Sequence, residues 1–91
     1  MTAKVKVRLF HELRANVGVS ELEVEANSLN ELLQSLTEHY PSMTELLFDS
    51  DGKLRQYTFM YVNNMVQHDL TRKLNDGDLV LLVPTAAGGR G

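Results

Sequence analysis

The side chains of this sequence offer little chemistry, whereas the backbone near its C-terminal end offers a good deal. The apolar run Leu79-Val80-Leu81-Leu82-Val83 is followed at once by Pro84-Thr85-Ala86-Ala87-Gly88-Gly89-Arg90-Gly91. Glycine has no side chain to limit φ or to collide with the walls of a narrow channel, so such a stretch can leave a folded body as an extended thread. A thread of this kind can deliver a backbone carboxylate into another protein's active site. These residues point to a carrier or modifier whose working group is the carboxyl of a glycine.

Other chemistries find less support. The chain has no cysteine, so no disulfide supports the fold and no thiol can carry sulfur or act as a nucleophile. Any sulfur the protein handles must sit on the C-terminal carboxyl. His11, His39 and His68 share no ligand spacing, and neither a metal nor a cofactor is expected. Ser20, Ser28, Ser35, Ser42 and Ser50 fall in turns, caps or polar faces, and none has the surroundings of an activated nucleophile. Asp49 with Asp51 and Asp76 with Asp78 resemble paired carboxylates, but aspartates beside glycines are usually turn formers. Nothing resembles a phosphate-binding loop, so the chain reads as the substrate of an activating enzyme and not as a catalyst.

Ninety-one residues make one domain, and nine basic against twelve acidic residues leave a formal charge of −3. That balance argues against nucleic acid as a partner and favours partners with basic docking surfaces. A single Gly88-Gly89-Arg90-Gly91 segment on an acidic chain is a poor RNA-binding signal. No apolar stretch is long enough to span a bilayer, and Met1-Thr2-Ala3-Lys4 lacks the apolar core of a secretion signal. The expected location is cytoplasmic, with no membrane partner.

A tail of this kind needs a rigid body behind it, and the periodicity supplies one. Lys4-Val5-Lys6-Val7-Arg8-Leu9 and Glu21-Leu22-Glu23-Val24-Glu25 alternate strictly, as half-buried strands do. The ten or so residues between them, with Gly18, read as a long connection that permits antiparallel pairing. Ser28 and Glu31 have capping-box spacing, with Glu31 expected to reach back to Ser28, and Leu29, Leu32, Leu33 and Leu36 then share one helical face. Tyr40 and Pro41 end that helix. A weaker capping pair, Ser42 and Glu45, precedes a short helical turn that carries Met43, Leu46 and Leu47. Asp49 to Gly52 form a turn, Tyr57 to Val62 a strand, Asn63-Asn64 a two-residue turn and Met65 to Gln67 a very short strand. Asn75 to Asp78 turn into Leu79 to Val83, a strand apolar on both faces as a central one would be, and pairing is expected to stop at Pro84.

In this order the chain resembles the ubiquitin-like sulfur carriers of the MoaD/ThiS type. The resemblance is carried by Leu9-Phe10-His11-Glu12-Leu13-Arg14, by Val62-Asn63-Asn64, and by Leu74-Asn75-Asp76-Gly77-Asp78 with the apolar strand, Pro84 and Gly88-Gly89 behind it. It implies an α+β fold of the β-grasp type, a mixed sheet of about four to five strands with one main helix across it. Residues 1–84 would form that domain and residues 85–91 a flexible tail. It further implies that a partner enzyme joins the carboxyl of Gly89 to AMP and that sulfur then displaces AMP to leave a thiocarboxylate, Gly88 giving the terminus room. The destination it suggests is molybdopterin synthesis, with the synthase large subunit as sulfur-accepting partner. Two alternatives stay open: a protein modifier that passes the same acyl group to a lysine amine, and a non-carrier binding module.

Relatives usually end at the diglycine, whereas here Arg90 and Gly91 follow. A maturation protease that removes both residues, an activating enzyme that uses Gly91 itself, and a tail out of use are the competing explanations, and the register of Gly88-Gly89 favours the first. Phe10 falls on the face that Lys4, Lys6 and Arg8 give to solvent, and Leu79, Leu81 and Val83 face outward if Val80 and Leu82 face the helix. In the resembling family this sheet face docks to the activating and sulfur-accepting enzymes, which makes Phe10, Val66 and Val83 the expected apolar anchors.

Overall fold

The computed structural model describes residues 2–55 and 58–84. Five strands form one mixed sheet: β1 (Ala3–Leu9), β2 (Glu21–Ala26), β3 (Thr58–Val62), β4 (Met65–Gln67) and β5 (Leu79–Pro84). Their spatial order is β2-β1-β5-β3-β4. The central pair, β1 and β5, runs parallel, with Leu9 beside Leu82, and every other neighbour is antiparallel. This is the β-grasp arrangement. The alternation read in β1 is realised in full, since Ala3, Val5, Val7 and Leu9 are buried while the residues between them are exposed.

Three helices, α1 (His11–Val17), α2 (Leu29–His39) and α3 (Met43–Leu47), complete the chain order. Leu29, Leu32, Leu33 and Leu36 of α2 are all at most 1% exposed and pack with Val5, Val7, Met60, Val62, Val80 and Leu82. Each such side chain contributes about 1.5–3 kcal/mol relative to an exposed one. Glu31 N–H donates to Ser28 Oγ at 3.3 Å, as the capping box requires. The reciprocal bond differs from expectation: the Glu31 carboxylate accepts from Asn27 N–H at 3.0 Å, one residue earlier than Ser28. Among the described residues no helix is long and apolar enough to cross a membrane.

Two further sequence-based expectations need correction. The connection between β1 and β2 is not a plain loop, because it contains α1, which buries Leu13 and ends at Gly18 with φ +91. Ser42 does not cap α3. Its backbone is already helical, and its hydroxyl donates to Asn16 Oδ1 at 2.6 Å, tying α3 to the end of α1. The turn readings hold. Asn63 and Asn64 both have positive φ, as a two-residue hairpin turn of type I′ demands, and Asp49 Oδ1 accepts the N–H of Asp51 and of Lys53.

Asp78 is a buried turn former. It accepts from Asn63 Nδ2 at 3.0 Å and from Asn75 N–H at 2.9 Å, while Asn63 Oδ1 accepts Leu79 N–H at 3.1 Å. The turn before β5 is also bound to β1, since Gly77 N–H donates to the Lys4 carbonyl and Lys6 N–H to the Asp78 carbonyl. The strand that leads to the tail is thereby fixed at its start to both of its neighbours.

Candidate functional site

The strand register assembles an apolar surface on the sheet face opposite the core. Val66 lies opposite Tyr61, Tyr61 opposite Leu81, and Leu81 beside Arg8, which in turn faces Glu21. One row thus crosses all five strands. In the next row Phe59 lies opposite Val83. Directly opposed residues share a face, so Phe59, Tyr61, Val66, Leu81 and Val83 form one apolar patch, and Leu79 extends it along β5. Val66 is 45% and Phe59 39% exposed, while the β5 and Tyr61 side chains are half-buried between them.

Charge borders this patch on one side only. Lys4, Lys6 and Arg8 stand opposite Glu25, Glu23 and Glu21, and Arg8 Nε donates to Glu21 Oε2 at 3.1 Å. Both of those side chains are well exposed, so the ion pair is worth at most about 1 kcal/mol and serves to orient the groups. An apolar patch continuous across β3, β4 and β5, with charge along its β1 side, is the sort of surface that buries against another protein.

Phe10 follows Leu9 in extended conformation (φ −127, ψ 152), so alternation puts it on the same side of the sheet as Arg8; it is half-buried beside the tilted His11 ring at 6.5 Å and borders a groove with Arg8, Arg14 and Glu21. His11 has φ +55, an uncommon left-handed conformation for a residue with a side chain. The chain therefore turns sharply into α1 next to the place where β5 ends. Since β1 and β5 are parallel, that corner lies at the same end of the sheet as Pro84.

Of the residues singled out in the sequence, Val66 and Val83 lie on the outward sheet face with Leu79 and Leu81, and Phe10, beyond the end of β1, lies on the same side without a strand partner. Phe59 and Tyr61 are additions. Their strand is apolar on both faces, so composition marks the segment without assigning its sides, and only the alternation Thr58, Met60, Val62 against Phe59, Tyr61 could have done so. Gly88, Gly89, Arg90 and Gly91 lie outside the described residues. His11 and His39 sit on different helices and His68 follows β4, and among the described residues no group of three or more His, Asp or Glu could hold a metal ion.

The sequence matches the ThiS family over residues 7–89. The chain belongs to this family of ubiquitin-like sulfur carriers. A protein of Archaeoglobus fulgidus named as a sulfur carrier is 31% identical over 90 residues, which cover 93% of this chain and 98% of that one. Among solved structures, small archaeal modifier protein 1 of Methanosarcina acetivorans superposes with a TM-score of 0.89 at 28% identity, covering 98% of this chain and 99% of that one. A Pyrococcus furiosus protein named as subunit 1 of a molybdopterin converting factor gives 0.74 at 25% identity over 92% and 99%. The family match takes in both glycines of the diglycine and stops before Arg90.

Proposed function

We propose that this member of the family carries sulfur as a thiocarboxylate on Gly89. The observation that carries the reading is the match through Gly89, combined with a sheet that holds the strand leading to it rigidly in its centre. A carboxylate is a poor acyl donor because oxide is a poor leaving group. Attack of the Gly89 carboxylate oxygen on the α-phosphorus of ATP expels pyrophosphate and leaves an acyl-adenylate, whose AMP is a good leaving group. Sulfide then attacks the carbonyl carbon, the C–S bond forms, and the C–O bond to AMP breaks. With a persulfide as donor, a thiol must afterwards cleave the S–S bond of the acyl intermediate. The cysteine-free chain supplies none of these thiols, so donor and catalyst belong to partners.

The partners we assign are an ATP-dependent activating enzyme, a sulfur-accepting enzyme for which the molybdopterin synthase large subunit is the favoured candidate, and a protease that removes Arg90 and Gly91. The likeness to a subunit of a molybdopterin converting factor supports that destination. A second reading, transfer of the same acyl group to a lysine amine, is favoured by the likeness to a small archaeal modifier protein. The two diverge only after activation. Intact mass measurement of protein from its native host separates them. Truncation at Gly89 with the mass gain of one oxygen exchanged for sulfur is the expected result; adducts on lysines of other proteins would favour the modifier, and an unmodified chain that keeps Arg90 would overturn both.

In this reading the patch around Val83 is where the activating enzyme docks. Replacing Phe10, Val66 or Val83 with aspartate buries an unpaired charge at an interface core, which costs about 2–4 kcal/mol, or roughly thirty- to a thousand-fold in Kd. Calorimetric titration with the activating enzyme and a thermal melt of each variant check this. Unchanged affinity with lowered stability would make these residues part of the fold only.

A further inference from the structure

The five-stranded sheet leaves two edges open. At one of them β4 is only three residues long, too short to template much pairing. At the other, β2 runs for six residues with no strand on its far side. Its register with β1 fixes which groups face that way. Leu9 N–H donates to the Ser20 carbonyl, so in the antiparallel alternation Leu22, Val24 and Ala26 exchange bonds with Val7, Val5 and Ala3. The N–H and C=O of Glu21, Glu23 and Glu25 then point to the free edge. Among the described residues nothing bonds to the backbone of Glu23 or Glu25 there.

Beneath that edge, between β2 and α2, lies a groove of about 320 Å³ formed by residues 22–25 of β2, including Glu23 and Glu25, and by Ser35, Leu36, His39 and Tyr40. His39 Nδ1–H donates to the Ser35 carbonyl at 2.9 Å, which fixes the ring at the groove and leaves Nε2 uncommitted. The edge therefore joins unpaired backbone groups, apolar side chains on one face and three glutamates on the other. These are the elements of strand addition, in which main-chain bonds give affinity and alternate side chains give specificity.

The glutamates decide what fits. A second copy of β2 paired antiparallel sets glutamate opposite glutamate, and like charges directly opposite are destabilising. What β2 accepts is visible on its other side, where Lys4, Lys6 and Arg8 stand opposite Glu25, Glu23 and Glu21 while Val5 and Val7 turn into the core. The free edge repeats this demand, with the same glutamate row above and, below, a groove of mixed lining in which half-buried Leu22 and Tyr40 offer apolar surface. We propose that the open edge of β2 and the groove beside α2 receive, as an added antiparallel strand, an extended segment of a partner protein in which Lys or Arg alternates with apolar residues. This surface lies at the far edge of the sheet from β4 and works independently of the C-terminal chemistry.

The test uses the full chain, labelled with nitrogen-15 at low ionic strength, and a capped hexapeptide, Lys-Val-Lys-Val-Arg-Leu, as probe. The expected result is saturable shifts of the Glu21, Glu23 and Glu25 amides and of groove residues on α2, with a charge-reversed peptide, Glu-Val-Glu-Val-Glu-Leu, about tenfold weaker or worse. Directly opposed residues share the edge bonds, so a peptide N-methylated at its Lys and Arg amides should lose binding while the protein stays untouched. No shifts with millimolar peptide, shifts confined to β4, equal binding of the acidic peptide, or full binding of the N-methylated one would each overturn the proposal. Concentration-dependent shifts at the same amides without peptide would overturn it too, by assigning the edge to a second copy.

Discussion

Deleting Gly88 and Gly89 should abolish ATP-dependent activation and leave the melting temperature unchanged. Among the described residues the core runs from Ala3 to Leu82 and the last strand is complete at Pro84, so every described core residue precedes the deleted glycines. Activation has the opposite dependence. The carboxylate must reach the α-phosphorus in line with the departing pyrophosphate, and a reacting group misplaced by an ångström can lose about a hundredfold in rate. With the diglycine removed, the thread is shorter and carries a β-carbon where the channel must accept bare backbone. Pyrophosphate exchange with the host's activating enzyme, comparing the form that ends at Gly89 with one that ends at Ala87, reads the first effect, and circular dichroism against temperature reads the second. Normal AMP formation by the deletion variant would sink the carrier reading altogether, whereas loss of the melt would show that the tail supports the fold.

What the sequence made legible follows from which signals are local. β1 and α2 were readable because their periods differ sharply, two against 3.6, and because one face of each is fully buried. Helix α1 was not, for it is seven residues long, buries a single leucine and has Phe10 at its start with no side-chain cap. Gly18 was its one clear mark, and a lone glycine reads equally well as a loop. Ser42 and Glu45 show the converse error, since capping-box spacing appears without the cap when the serine's backbone is already helical and Asn16 offers its hydroxyl a partner. The neighbour of β1 across the sheet, β5, lies some seventy residues away in sequence, so the row Val66, Tyr61, Leu81, Arg8 could not be seen until the parallel pair was in place.

The parallel pair also decides at which end of the sheet the last strand finishes. In an antiparallel centre the start of the chain would lie beside the tail. Here β1 and β5 point the same way, so β5 ends at the end of the sheet that holds the Phe10–His11 corner, with Val83 at its last outward-facing position. On the proposed reading, an enzyme that grips Phe59, Leu81 and Val83 holds the end of β5 from which Gly89 has to reach the active site. Docking on the sheet and reaction at the tail then become two parts of one measurement of length.

That measurement carries the remaining prediction, which concerns Arg90 and Gly91. Two further residues lengthen an extended chain by roughly 7 Å. If the channel is fitted to Gly89, the carbonyl of Gly89 in the longer chain is already an amide and cannot be adenylated at all, while a carboxyl beyond it overshoots the phosphate by that distance. A form of the chain ending at Gly89 should accordingly support rapid pyrophosphate exchange with the host's activating enzyme, and a form that carries Arg90 and Gly91 should be inert, slower by about a hundredfold or more. Addition of the host's maturation protease should restore the longer form to the rate of the shorter. The comparison is made first without protease, so that length alone is tested. Equal rates would mean that the working carboxyl is Gly91, or that the channel tolerates two extra residues, and either result would remove the need for a protease while leaving the carrier reading to the diglycine deletion.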